Sequence, residues 1–244
     1  MRRIPYILLL GALALGCSQP PPPPIAKKLK PGEQYSGFLG DYSQLKPTSE
    51  IDSDLLTYSN PDQMKNLHRY IAIMVDPVEA YLKTDADESL IPKTSVEAAT
   101  VYFRASLIRA VSDSYPIVSE PSPLTLRLRA AIVGIDAGGA ADESDTGAEG
   151  AEQPFTSAIN VSEVGVEVEL VDSITGERIA AAVDKAKLGE EALEVAGNLS
   201  RVEKYHAAME AFDGWADRIR EFLDREHEIT GEDAERADKA YVPY

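Results

Sequence analysis

Two stretches of alternating polarity constrain the fold of this chain more than any other feature. In LTLRLRAAIVGI (Leu124 to Ile135), apolar residues occupy every second position of the first half, with threonine or arginine between them. VGVEVELVD (Val164 to Asp172) alternates in the same way, with glutamates between its valines and leucine. A period of two is typical of strands that bury one face. The stretches therefore predict two paired strands, and a third alternating strand (Ile179, Ala181 and Val183) is expected after the turn in DSITGER.

The polar residues of the first two strands are expected to lie on one exposed face of the sheet. If the strands pair antiparallel, Arg127 and Arg129 meet Glu167 and Glu169 across the strands. Opposite charges in such pairs contribute about 0.2–1 kcal/mol each. This face is therefore predicted to be solvated and held by ion pairs, whereas the apolar face packs on the core.

Helical periodicity flanks these strands on both sides. Thr94 to Ser114 repeats apolar residues at spacings of three and four, and Val202 to His227 carries a second apolar stripe of the same kind. Tyr70 to Val75 is a continuous apolar run, which is typical of a strand covered on both faces. Pro77 follows it and is expected to end its pairing, because proline cannot donate a hydrogen bond to a neighbouring strand.

The order strand, helix, three antiparallel strands, helix predicts an α+β fold. We expect a mixed or mainly antiparallel sheet of four to five strands with two helices packed on one face. A single domain is predicted over residues 36–230. Within it, the glycine- and acid-rich stretch at about 136–155 is expected to be a flexible loop, and residues 231–244 a C-terminal tail.

The N-terminus predicts export rather than a membrane-spanning helix. Arg2 and Arg3 precede an uncharged run of thirteen residues from Ile4 to Gly16. Such a run rises about 20 Å as a helix, less than the roughly 30 Å of a bilayer's hydrocarbon core. A basic start followed by a short apolar run indicates a secretory signal peptide over residues 1–16.

The only cysteine of the chain, Cys17, follows this run directly. The sequence LALGC resembles the lipobox of bacterial lipoproteins, and the resemblance implies that Cys17 carries acyl chains, palmitate among them, and becomes the mature N-terminus. Ser18 stands where an aspartate retains many such proteins in the inner membrane, so the expected location is the outer membrane, facing the periplasm. Pro20 to Pro24 predict a stiff spacer of about 15 Å. Residues 17–35 are therefore predicted to form a lipidated tether, whose lysines are expected to approach acidic head groups.

Composition and motifs argue against most kinds of chemistry. The chain has 41 acidic and 24 basic residues and a net charge of −17, whereas nucleic-acid binding requires clustered Lys and Arg. One cysteine excludes an intramolecular disulfide, and the three histidines lie far apart without metal-ligand spacing. The sequence lacks a GxSxG nucleophile elbow, a P-loop and a dinucleotide-binding GxGxxG motif. We therefore predict no catalytic residue, no metal and no cofactor.

Three further stretches carry a family resemblance. They are SGFLGDYSQLKP (Ser36 to Pro47), MVDPVEAY (Met74 to Tyr81) and VEVELVDSITGER (Val166 to Arg178). Together they resemble a bacterial lipoprotein family known as domain of unknown function 3313. The resemblance covers most of the chain after Cys17 and implies a lipoprotein, with no catalytic residues to assign. More distantly, the element order is similar to that of curli-secretion and transporter-associated envelope lipoproteins, which are assembly or accessory proteins.

The expected function is that of a membrane-anchored periplasmic lipoprotein that binds another, unidentified envelope protein without catalysis. The alternative is a small-molecule or lipid carrier, or an accessory lipoprotein of an envelope transport system. An apolar pocket of several hundred cubic ångströms favours the carrier, and a filled core with an exposed aromatic patch favours the binding protein. The candidate interaction surface comprises Phe38, Leu39, Tyr42, Asp76 and Pro77. The alternative for the first three is that they only pack the rim of the domain.

Overall fold

The computed structural model describes residues 26–29, 35–48, 55–87, 91, 93–135, 164–185 and 201–240. These residues form one mixed sheet of eight strands and three α-helices. The strands are β1 (Lys27–Lys28), β2 (Lys46–Pro47), β3 (Leu56–Ser59), β4 (Ala72–Val75), β5 (Glu79–Leu82), β6 (Thr125–Ile135), β7 (Gly165–Asp172) and β8 (Arg178–Lys185). The helices are α1 (Pro61–Met64), α2 (Lys93–Val111) and α3 (Arg201–Ala240), and a 3-10 turn spans Leu67–Arg69.

The long strand β6 organises the sheet. It pairs antiparallel with β7, and β7 pairs antiparallel with β8, which is the meander that the alternating segments predict. Strands β3 and β2 extend the sheet beyond β8, also in antiparallel order. On its other side, β6 pairs in parallel with β4 at its start and with β5 further along, and β1 adds in parallel to β5.

The α+β class is confirmed, but the sheet has eight strands rather than the predicted four to five. The additional strands β1, β2, β3 and β5 are only two to four residues long. Segments this short carry no readable periodicity. Their pairing depends on neighbours far away in the sequence, as when Leu56 of β3 pairs with Val183 of β8.

Both long helices pack on one face of the sheet, the arrangement that the sequence favours. Inward-facing residues of β6 and β7, such as Leu128 and Val166, share a buried core with α2 and α3. Between the helices, the ring of Phe103 lies 5.1 Å from that of Phe212 and 6.2 Å from that of Trp215. Large aromatic side chains removed from water in this way contribute strongly to the stability of the core.

Helix α3 is longer than its apolar stripe predicts. It runs from Arg201 to Ala240, well past His227, and so includes most of the stretch expected to be a tail. Six of the thirteen added residues are Glu or Ala, which favour helix, and no proline follows before Pro243. Over the described residues, no helix combines the length and the apolar character that a membrane crossing requires.

The third predicted strand breaks its alternation. Strand β8 pairs with β7 through a register shift, in which Leu170 faces Ala180 and Val171 faces Arg178. Such a bulge places two residues opposite one and changes which side chains face each side of the sheet. Ile179 therefore packs on the helical side, whereas Ala181 and Val183 pack on the opposite side.

Several predicted features lie outside the described residues: the signal peptide at 1–16, Cys17, the prolines at 20–24 and the acidic stretch at 136–155. Part of the predicted tether is described, and it forms strand β1 of the sheet. Lys27 donates from Nζ to Glu79 Oε2 at 2.5 Å, and Lys28 donates to the carbonyl of Ala86 at 2.9 Å. These two lysines, expected near head groups, therefore contact the domain itself.

Candidate binding site on the outer face of the sheet

The outer face of the sheet, opposite the helices, is covered by an irregular stretch at residues 35–45, here called the cover segment. Phe38 and Leu39 of this segment are buried, and Tyr42 is half-buried beside them. They pack against outward-facing residues of the strands, among them Ala131 and Val183. The cover segment thus turns the outer face of the sheet into a second, smaller core.

The glutamates expected on an exposed face are buried. Strands β6 and β7 do pair antiparallel with Arg129 opposite Glu169, but Arg127 lies opposite Val171 and Glu167 opposite Ala131. Glu167 is only 1% exposed and Glu169 only 3%. The prediction of a solvated face is therefore wrong, because the cover segment lies over it. A buried carboxylate is costly unless donors or cations compensate it, so its partners define how this face is built.

Glu167 receives its hydrogen bonds from the cover segment. Its Oε1 accepts from the backbone N–H of Ser36 at 2.9 Å, and its Oε2 accepts from Ser36 Oγ at 2.6 Å. Oε2 also accepts from Tyr42 Oη at 2.5 Å. Burial and the bond to Glu167 raise the pKa of Tyr42 far above its usual range, so the hydroxyl stays protonated and remains a donor.

Glu169 is held by two arginines. Its Oε1 accepts from Arg129 Nη1, and its Oε2 accepts from Arg178 Nε at 2.8 Å. Arg178 also donates to the backbone carbonyl of Leu39 and, at 2.8 Å, to that of Asp41. One guanidinium group therefore ties β8 to β7 and to the cover segment.

Asp76 lies where the edge of β6 changes its partner from β4 to β5. Its N–H still donates to a carbonyl of β6 at 3.0 Å, but Pro77 has no N–H and interrupts the pairing. The carboxylate accepts from Arg127 Nε at 2.9 Å through both oxygens and lies 2.7 Å from Arg127 Nη2. From α2, Arg104 donates to the carbonyls of Val75 and Asp76 at 2.8 and 3.2 Å. The junction between β4 and β5 is thus held by Arg127 on the outer face of the sheet and by Arg104 on the face that packs on the helices.

Between these groups lies an open cavity of about 320 Å³. Its lining comes from the cover segment, the β4–β5 junction and strands β5, β6 and β7 with the β7–β8 turn. The lining residues are Phe38, Asp76, Pro77, Glu79, Arg127, Arg129, Val171 and Gly176. The guanidinium carbon of Arg129 lies 4.9 Å from the centre of the Phe38 ring, a cation–π contact that orients both side chains.

Three of the five residues predicted as an interaction surface meet at this cavity: Phe38, Asp76 and Pro77. Leu39 and Tyr42 do not line it and instead lie in the small core under the cover segment. For these two residues the geometry favours the alternative reading, in which they pack the rim of the domain.

The sequence interpretation misses Arg127 and Arg129 as site residues, although their alternation places them on this face. The missing information is the register of β4 on β6, which sets Val75 beside Leu128 and so brings Asp76 to Arg127. Parallel pairing between segments some fifty residues apart leaves no local signal in the sequence.

The carboxylates that line the cavity already have partners. Asp76 is paired with Arg127, and Glu79 accepts from Lys27 Nζ at 2.5 Å and from Tyr81 Oη at 3.0 Å. Both carboxylates that line the cavity are therefore held in ion pairs. Within the described ranges, no group of three or more His, Cys, Asp or Glu side chains is placed to hold a metal ion.

Comparison with known proteins identifies relatives of uncharacterised function. Residues 34–219 match the family described as protein of unknown function DUF3313, which confirms the resemblance predicted from the three stretches quoted above. The chain is 30% identical over 132 residues to the uncharacterized lipoprotein YdcL of Escherichia coli (strain K12) and, equally, to that of Escherichia coli O157:H7. Each alignment covers 52% of this chain and 54% of the relative. The chain thus spans about half the length of the curated relatives it matches.

Solved structures give only loose matches. A dodecamer of a PelC variant from Paraburkholderia phytofirmans superposes with a TM-score of 0.29 at 16% identity, over 64% of this chain and 95% of that chain. A DUF4136 family protein from Bacteroides thetaiotaomicron superposes with a TM-score of 0.31 at 12% identity, over 70% of this chain and 98% of that chain. Scores of this size support no conclusion about fold or function.

Proposed function

The chain belongs to the DUF3313 family of proteins of unknown function, and on that premise we propose that it is a lipid-anchored lipoprotein of the bacterial envelope. In this proposal, Cys17 carries the anchor in the outer membrane and the folded domain faces the periplasm. The domain binds another envelope protein through the cavity on the outer face of the sheet and catalyses no reaction.

The anchor is supported by the sequence motif and by the relatives. LALGC matches the pattern of a lipidation site, and the two Escherichia coli relatives are named lipoproteins. Two or more acyl chains give stable anchoring, at about 0.8 kcal/mol per buried methylene group. Strand β1 begins at Lys27, ten residues after Cys17, so the domain lies within about 35 Å of its lipid.

The observation that carries the binding role is the cavity where Phe38, Asp76 and Pro77 meet. Its side chains are fixed in advance by ion pairs and by the contact of Phe38 with Arg129. A preorganised site loses less conformational entropy when it binds, which favours recognition. Its charged lining also favours a polar group of a protein over the apolar cargo of a lipid carrier.

Site-specific photocrosslinking tests the binding role in intact envelopes. A photoreactive residue at Pro77, which is exposed and lines the cavity, is compared with one at Val101, which is 65% exposed on α2. We expect one envelope protein to be captured from position 77 and not from position 101. The same products from both positions, or none from position 77, would contradict the proposal.

A further inference from the structure

We propose that the cavity recognises a carboxylate group, presented by an acidic side chain or the C-terminus of a protein segment. This inference rests on the proposed function and names the chemistry that the same site selects.

Unused hydrogen-bond donors are the first observation. Each guanidinium group carries five N–H donors. Arg127 uses Nε and Nη2 on Asp76, and Arg129 uses Nη1 on Glu169. Arg127 Nη1 and Arg129 Nη2 have no hydrogen-bond partner among the described residues, although both side chains line the cavity and are 42% and 32% exposed. Two guanidinium Nη groups of arginines that line the cavity are therefore available to an acceptor.

The local charge balance is the second observation. Arg127, Arg129 and Arg178 share two carboxylates, those of Asp76 and Glu169. Three guanidinium groups thus meet two carboxylates in this ion-pair network, on a chain whose net charge is −17.

Two further acids of this face lie outside the ion pairs of the arginines. Glu79 is paired with Lys27. Glu167 does not line the cavity, and its donors among the described residues are the neutral groups of Ser36 and Tyr42. A carboxylate would add one negative charge beside these arginines, whereas a phosphate monoester brings about −1.5 to −2.

Shape is the third observation. A volume of about 320 Å³ corresponds to roughly ten water molecules at about 30 Å³ each, which is room for one side chain or a chain end. Phe38, Pro77 and Val171 supply apolar walls beside the arginines. Guanidinium groups bind planar carboxylates through parallel N–H bonds, so a carboxylate on a short apolar stem fits both the donors and the walls.

Peptide titration of the full mature chain in detergent micelles tests this inference, with the Nε–H signals of the arginines followed by NMR. The probes are acetyl-Ala-Glu-Ala-amide, acetyl-Ala-Gln-Ala-amide, acetyl-Ala-Ala-Ala with a free C-terminus, and inorganic phosphate. We expect at least one carboxylate peptide to shift the signals of Arg127 and Arg129 saturably, and the neutral glutamine peptide not to. The tighter of the two carboxylate peptides identifies an acidic side chain or a C-terminus as the source.

A charge-matched pair of double variants ties the binding to the cavity. Asp76→Asn with Arg127→Gln removes one ion pair at the cavity, and Asp184→Asn with Arg218→Gln removes one between β8 and α3. We expect the first to weaken carboxylate binding about tenfold and the second to change it less than about twofold. The inference would be overturned if neither carboxylate peptide binds more tightly than the glutamine peptide, if phosphate binds more tightly than both, or if the two double variants lose binding equally.

The binding of an envelope protein and the recognition of a carboxylate can be contradicted independently of each other. If position 77 captures an envelope protein but no carboxylate peptide binds, the ligand class is wrong and the binding role stands. If carboxylate peptides bind but position 77 captures nothing, the role in binding an envelope protein is wrong, while the site's chemistry stands.

Discussion

Tyr42 Oη donates a hydrogen bond of 2.5 Å to Glu167 Oε2, joining the cover segment to strand β7 across 125 residues of chain. Together with the two bonds from Ser36, it satisfies a carboxylate that is almost completely buried. Phe38, two residues after Ser36, forms one wall of the cavity. The placement of that wall therefore depends on a polar contact inside the second core.

Removing the Tyr42 hydroxyl should destabilise the domain. In Tyr42→Phe, Glu167 loses one of its three donors, and we expect the free energy of unfolding to fall by about 2 kcal/mol in urea denaturation. Tyr58→Phe is the matched control, because Tyr58 packs in the same small core and its hydroxyl has no partner among the described residues. Equal losses in the two variants would show that the bond to Glu167 is not the cause.

Neutralising Glu169 should lower the free energy of unfolding by more than the Tyr42→Phe substitution does. Glu169→Gln leaves the guanidinium groups of Arg129 and Arg178 without their buried partner, and breaking such a pair costs about 3 kcal/mol or more. The control is Glu210→Gln on the exposed surface of α3, which should change stability by less than about 0.5 kcal/mol. Denaturant unfolding of both variants measures the difference. A Glu169→Gln chain as stable as the control would contradict the assigned network.

Two glycine substitutions should act in opposite directions. Gly176, in the β7–β8 turn, has a φ angle of 71°, so Gly176→Ala should destabilise the domain by about 1 kcal/mol through backbone strain. Gly214 lies in α3 with open space around an added methyl group, so Gly214→Ala should stabilise it by up to about 1 kcal/mol. Thermal unfolding measures both changes. If the unfolding temperatures of the two variants change in the same direction, either the conformation of the β7–β8 turn or that of helix α3 is contradicted.

Alkaline pH should weaken the contribution of Tyr70 to the stability of the domain. Burial, with a hydrogen bond to Asp172 at 2.9 Å, raises the pKa of Tyr70 to about 12. Because the ordinary value is 10.0, the stabilisation is complete below about pH 10 and is lost as the pH rises through 12. The advantage of the natural chain over Tyr70→Phe should therefore shrink between pH 10 and 12. If the difference in unfolding free energy between the natural chain and Tyr70→Phe stays constant over this range, the raised pKa of Tyr70 is contradicted.

Local periodicity explains which parts of the fold the sequence predicts. The alternation in β6 and β7 and the apolar stripe of α2 are properties of the segments themselves, so they predict strands and a helix correctly. The pairing of β3 with β8 is different, because nothing within Leu56–Ser59 specifies its neighbour. The bulge opposite Val171 is also set by pairing, which is why the faces of Ala181 and Val183 are not those that simple alternation implies.

The candidate site was accessible to sequence reasoning only in part. Phe38, Asp76 and Pro77 lie in distinctive stretches and do meet at the cavity. The burial of Glu167 depends on a segment more than a hundred residues away, so its alternation with valine indicates only which face it occupies. Alternation specifies a face, whereas the cover over that face is a property of the tertiary structure.

Lipidation of Cys17 is tested most directly by mass spectrometry of the N-terminal fragment from membrane-fractionated cells. We predict that the fragment begins at Cys17, carries the mass of its acyl chains and is found in the outer membrane fraction. Cys17→Ser should lose that added mass and leave the membrane. An unmodified Cys17 in the natural chain, or a Cys17→Ser chain that remains lipidated in the membrane, would contradict the anchor.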